Sequence, residues 1–130
     1  MIEIPRAAYM IEKIAKEVDF ISFGTNDLTQ MFLGFSRDDS GLFIDMYSKI
    51  KILPKNPFDS LDIEGVGELI KITAEKARTV NPEIKICVCG EQAGDPDSIK
   101  FLLTTKVDSI SVSPSRIPLA IIALGKYSLE

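Results

Sequence analysis

Short apolar runs alternate along this chain with longer stretches in which apolar positions recur every three or four residues. The short runs occupy residues 1–4 (MIEI), 20–23 (FISF), 84–88 (IKICV) and 109–112 (SISV). Their near-continuous hydrophobicity predicts buried parallel strands rather than half-solvated antiparallel ones. A helix is predicted from Pro5, at the first helical position. Ala7, Ile11, Ile14, Ala15 and Val18 form its apolar stripe, and Glu12 and Lys16 form an i,i+4 pair. A second helix near residues 60–80 starts with Asp59, Ser60 and Asp62. It buries Val66, Leu69, Ile70 and Ala77, ends in Lys76 and Arg78, and is stopped by Asn81-Pro82. Asp95-Pro96 reads as an N-cap followed by an N1 proline, for a helix through about Thr104, and Pro118 opens a last helix through Leu124. Residues 34–58 break the rhythm and predict a long loop insertion with a short extra helix near 42–50.

Four βα units in 130 residues average about 32 residues each, the pitch of a (β/α)8 barrel unit, whereas a whole barrel takes about 250. The expected fold is therefore α/β, half of a TIM barrel, with residues 1–130 as a single partial domain. An open doubly wound sheet fits less well, because no G-x-G-x-x-G follows the first strand, and no P-loop is present either.

Composition narrows the function classes. A 45% hydrophobic content supplies a core, and 8 Gly and 7 Pro exclude collagen-like and low-complexity chains. No apolar run approaches the roughly 18 residues of a membrane span, so no membrane partner is expected. The net charge of −4 argues against nucleic acid. Cys87 and Cys89 are expected on opposite faces of a strand and unpaired, as in a reduced, cytoplasmic protein. The chain has no histidine, which excludes a Ser-His triad, His-ligated zinc or a phosphohistidine within it.

The polar residues of interest fall at predicted strand ends: Glu3, then Gly24-Thr25-Asn26-Asp27, then Cys89-Gly90-Glu91, then Ser113. In a parallel barrel those ends surround one mouth, where active sites of this architecture lie. Each residue also has a plainer reading. Glu3 is a metal ligand or a solvated carboxylate. Residues 24–27 are a binding turn or an Asx N-cap for the next helix. Cys89 is a reactive thiol or a small buried hydrophobe. Glu91 orients a neighbour or is an exposed loop charge, and Arg37 reads as a surface charge. Two carboxylates at different strand mouths suit Mg²⁺, which takes one or two of them and completes its octahedron with water and substrate oxygens. Such an ion stabilises an enolate, and a thiol can exchange a proton with the enolate carbon.

Four ordered segments carry a family resemblance: residues 2–8 (IEIPRAA), 22–30 (SFGTNDLTQ), 89–96 (CGEQAGDP) and 112–118 (VSPSRIP). Together they resemble the C-terminal barrel of the phosphoenolpyruvate-utilising enzymes across essentially the whole chain. Residues 36–41 and 56–67 favour the pyruvate, phosphate dikinase branch.

The resemblance implies the C-terminal half of a TIM barrel that interconverts phosphoenolpyruvate and pyruvate. In such enzymes a phosphohistidine on a separate swivelling domain carries the phosphoryl group. Glu3 and Asp27 are then the implied Mg²⁺ ligands, and Glu3, Gly24, Thr25, Asn26 and Asp27 the implied substrate contacts. Cys89 is the implied acid/base for the enolate carbon. ATP and phosphate are expected to act only through domains outside these 130 residues, as are the family's paired arginines. The isolated chain is accordingly expected to be inactive. Gln92 stands where the dikinase branch usually has a histidine. Two other expectations remain: an assembly fragment that homodimerises, family barrels often doing so through this region, and a Mg²⁺-dependent keto-acid lyase.

Overall fold

A computed structural model describes residues 1–129. Three parallel strands form its sheet in the order β1 (Phe20–Gly24), β2 (Lys85–Cys89), β3 (Ser109–Ser111). The expected first strand is reduced to one parallel bridge between Ile2 and Phe23. In that bridge the Ile2 N–H donates to Ser22 O (2.8 Å) and the Gly24 N–H donates to Ile2 O (3.0 Å). The βα alternation therefore stands, and the all-parallel direction is compatible with a barrel segment.

Each crossover follows from its sequence signals. Pro5 opens α1 (Pro5–Tyr9), which bends at Met10 into α2 (Ile11–Ile14). Because α2 ends at Ile14, the helical spacing that would pair Glu12 with Lys16 is lost. Among the described residues the ion pairs are instead Lys55–Asp97 and Arg78–Asp108. Helix α3 (Thr25–Leu33) begins directly at the end of β1 and stops at Gly34, whose φ of 67° is left-handed. The insertion holds two short helices, α4 (Arg37–Ser40) and α5 (Ile44–Lys49), where one was expected.

The helix expected over 60–80 starts as a π-helical turn, Ile63–Gly67, before α6 (Glu68–Val80). Asp95 caps α7 (Pro96–Leu102) by accepting the Ser98 N–H at 2.9 Å, as its sequence predicts. A 3₁₀ turn, Pro114–Arg116, leads into α8 (Ile117–Tyr127).

The strand register sorts the side chains by face. Ile21, Phe23, Ile86 and Val88 point to the helices, where they are buried with Ala8, Ile11, Ala15, Ile70, Ala74 and Ala77. Ser22 pairs with Cys87 and Gly24 with Cys89, and the two cysteines in turn lie beside Ser109 and Ser111. This second face is lined by small and polar groups. The expectation that Cys87 and Cys89 diverge is thus corrected. Two positions apart, they share a face, and both are free thiols. Their separation along one strand, about 6.6 Å between Cα atoms, lies at the far limit of disulfide geometry. Burial on both faces holds for the middle of β1 and β2 but not for β3, where Ser109 and Ser111 are exposed.

Candidate functional site

The C-terminal ends of the strands bring together what the sequence had scattered. At the end of β1, Gly24 lies beneath the half-buried Glu3 side chain. A Cβ on Gly24 would stand 2.7 Å from Glu3 Cγ and 3.1 Å from Oε1. Only a glycine lets the carboxylate cross the strand at this height. Thr25 then enters α3 at once, and the residue before it makes no side-chain cap. The Asx N-cap reading of residues 24–27 is therefore overturned, because Asn26 and Asp27 lie inside the first turn.

Asn26 Oδ1 instead accepts the Glu91 N–H from the end of β2 (3.2 Å), which leaves its Nδ2 as the donor for another group. Exposed Asp27 accepts from Gln30 Nε2 (3.1 Å), while Gln30 Oε1 accepts the Arg37 N–H (2.8 Å). One amide thus ties the candidate metal carboxylate to the start of the long insertion. Arg37 itself is exposed, as a surface charge should be.

Thr25 is fully buried. Its hydroxyl lies 2.8 Å from Cys89 O and 2.7 Å from Gln92 Oε1, so its single proton is shared between two acceptors. Gln92, also buried, donates through Nε2 to Pro57 O (2.8 Å) and more weakly to Thr29 Oγ1 (3.4 Å). The Thr25 side chain is therefore turned inward, and its hydroxyl proton is not available to a ligand at the mouth. Gly90, at φ 112°, completes the close fit, since a Cβ there would fall 2.2 Å from Thr25 Oγ1.

Cys89 is half-buried, not a sealed core residue. Its thiol donates to Phe23 O (3.3 Å), and Ser22 Oγ donates to Sγ (3.4 Å). A hydroxyl aimed at the sulfur stays in place as its hydrogen-bond donor when the thiol gives up its proton. Beyond the thiol opens a cleft of about 270 Å³, walled by Glu91, Gly94, Ser111, Ser113 and Arg116. A larger apolar groove of about 770 Å³ lies away from the strand ends, between residues 53–64 and α7.

No three His, Cys, Asp or Glu side chains converge as a ready-made metal cluster among the described residues. Glu3 and Asp27 supply two hard oxygen donors on consecutive chain segments, with Glu3 cradled over a position that a Cβ would fill. That donor set fits Mg²⁺ and does not fit a soft-metal site. The sequence had pointed to Glu3, residues 24–27 and Cys89. It missed Ser22 and Gln30, and it had noted Gln92 only as a departure. A polar residue among neighbours as small as Ala93 and Gly94 was the available signal for burial at 92.

These features define an α/β protein with a small parallel sheet whose strand ends gather the candidate site residues. Residues 1–128 match the model of the PEP-utilising enzyme, PEP-binding domain. The chain belongs to that family. It is 53% identical over 126 residues to the chloroplastic pyruvate, phosphate dikinase of Flaveria pringlei, covering 97% of this chain and 13% of the relative. Against pyruvate, phosphate dikinase 2 of Zea mays the identity is 50% over 126 residues, covering 97% and 14%. Against the pyruvate, phosphate dikinase of Clostridium symbiosum it is 49% over 130 residues, covering 100% and 15%. The chain thus spans only about a seventh of the length of these relatives.

Proposed function

We propose that this chain forms part of the phosphoenolpyruvate/pyruvate centre of a dikinase-like phosphotransferase, as the C-terminal half of a TIM barrel. The observation that carries this reading is the meeting of Glu3, Asn26 and the half-buried Cys89 thiol at one set of strand ends. Asn26 Nδ2 donates to a carboxylate or phosphate oxygen of the ligand. Its Oδ1, held by the Glu91 N–H, fixes the amide the right way round for this. Gly24 and the first turn of α3 bring the backbone close to the ligand.

Glu3 and Asp27 would hold Mg²⁺, which would offset the negative charge that develops on an enolate oxygen. In the direction of pyruvate formation, the C–H bond at the enolate methylene forms as the Cys89 S–H bond breaks. Ser22 Oγ then stabilises the thiolate, and water returns its proton. In the opposite direction the thiolate takes a methyl proton from pyruvate. The phosphoryl carrier must come from elsewhere, because the chain has no histidine. ATP and phosphate therefore act through other segments, and the 130 residues alone give no dikinase turnover.

Thiol labelling tests this reading. Cys89 is half-buried whereas Cys87 is 7% exposed, so Cys89 reacts first with iodoacetamide. Mg²⁺ together with oxalate, an enolate mimic, is expected to slow that labelling, and Glu3→Gln is expected to abolish the protection. Labelling that ignores Mg²⁺ and oxalate would remove the ligand site from the strand ends.

A second reading, self-association, is favoured by the exposed apolar residues of the insertion, where Leu42 is 91% and Ile50 59% exposed. A fragment whose role is assembly alone would associate in solution without protecting Cys89.

A further inference from the structure

We infer that Gln92 is a positioning residue for the ligand site, acting through Thr25 and locking the long insertion to the strand ends. The inference deepens the proposed function and rests on it for the ligand, but its geometric part stands alone. Gln92 is 1% exposed, and both ends of its amide are bonded to different chain segments. Oε1 accepts from Thr25 Oγ1 on α3, and Nε2 donates to Pro57 O in the insertion and to Thr29 Oγ1. Reversing the amide would set an N–H₂ against the Thr25 hydroxyl and a carbonyl oxygen against Pro57 O. The Pro57 bond therefore fixes the orientation.

The consequence reaches the ligand through a single proton. With Gln92 Oε1 and Cys89 O both accepting, the Thr25 hydroxyl points inward and pins the first turn of α3 against β2. Asn26 and Asp27, the next two residues, take their places from that pin. Asn26 completes it by holding the Glu91 N–H, next to Gln92 itself. No other side chain among the described residues bonds β2's outgoing turn, α3 and residue 57 together. An amide does this without titrating near neutrality, so the site keeps its geometry across that pH range.

The test uses the full chain and three substitutions. Gln92→Met keeps the volume and removes both hydrogen bonds, and Thr25→Val removes the hydroxyl that Gln92 acts through. Each is expected to weaken Mg²⁺-dependent oxalate binding by about tenfold. Each should also speed amide hydrogen exchange at Leu28 and Thr29, the first buried amides of α3 with intrahelical acceptors. The double variant should be no worse than either single, because both remove one pin. Additive losses, or unchanged exchange at Leu28 and Thr29, would overturn the inference.

Gln92→His keeps a donor and an acceptor while neutral, and so guards against a Met variant that fails to fold. Its exchange protection and binding should match the parent at pH 8 and fall as the imidazole protonates near pH 6.5, where no acceptor remains for Thr25. A pH-independent His variant contradicts the inference. Absence of oxalate binding by the parent chain would count against the proposed function alone. The exchange measurements would still decide the role of Gln92.

Discussion

Gly90 and Gly24 lie at the ends of neighbouring strands, and the structure predicts opposite consequences for the same substitution. At Gly90 a methyl group meets Thr25 Oγ1 at 2.2 Å and the backbone is left-handed, so neither partner can yield. Gly90→Ala is expected to cost at least about 1–3 kcal/mol from backbone strain alone, measured by urea unfolding. At Gly24 the nearest atom, 2.7 Å away, is Cγ of Glu3, a side chain that can swing aside. Gly24→Ala should therefore leave the fold nearly intact and weaken Mg²⁺ binding by about tenfold, as displaced ligand-supporting groups do. Calorimetric Mg²⁺ titration of both variants separates these outcomes. At this scale the sequence showed which residues gather at the strand ends, because strand ends are set by local pattern. It did not show that Thr25 turns inward, since its partners Cys89 and Gln92 lie 64 and 67 residues away. Nor could it distinguish an Asx cap from a first helical turn at Asn26, because both use the same residue types.

Among the elements, β3 depends most on a single cluster. Asp108, the residue just before it, accepts the Ile86 N–H (2.7 Å) and pairs with Arg78, which also donates to Lys106 O. Burial pushes the Asp108 carboxyl upward, but the hydrogen bonds from Ile86 and Arg78 outweigh it and hold the group below its usual range. A carboxyl depressed in the folded state adds stability above its unfolded value, near pH 3.9. That stability is lost as pH falls through the lower folded value. Asp108→Asn should lower the melting temperature at pH 7 and flatten its decline below about pH 4. A variant melting curve with the parent's acid dependence would show that the cluster does not hold β3. The prolines at 5 and 96 and the Asp95 cap made their helices legible in advance. The π-helical turn was not legible. One turn closed by Gly67 N–H to Asp62 O at 2.8 Å leaves the apolar period of residues 60–80 unchanged.

Across the whole molecule, one sheet face is covered by helices, while the other carries Ser22, Cys87, Cys89, Ser109 and Ser111 and is open along β3. On α8, Ile121 and Ile122 are 63% and 68% exposed, although Ala120 and Ala123 are packed inside. Open strand edges and apolar helix faces of this kind drive association. Sedimentation of the chain should show concentration-dependent self-association, reduced in Ile122→Lys. A strictly monomeric chain at high concentration would count against this. The alternation of strands and helices, and its repeat length, were legible because they follow from hydrophobic period alone. The reduction of the first strand to a single bridge at Ile2 was not, since it depends on pairing with Phe23, far along the chain.

If Glu3 and Asp27 hold Mg²⁺ as proposed, these strand ends bind an enolate-like dianion through that ion. Isothermal calorimetry of oxalate binding to the full chain, with Mg²⁺ and then with EDTA, tests it most directly. The expected result is saturable binding only with Mg²⁺, weakened more than about tenfold by Glu3→Gln or Asp27→Asn and little changed by Cys89→Ser. Binding that persists in EDTA, or that survives loss of both carboxylates, would contradict it.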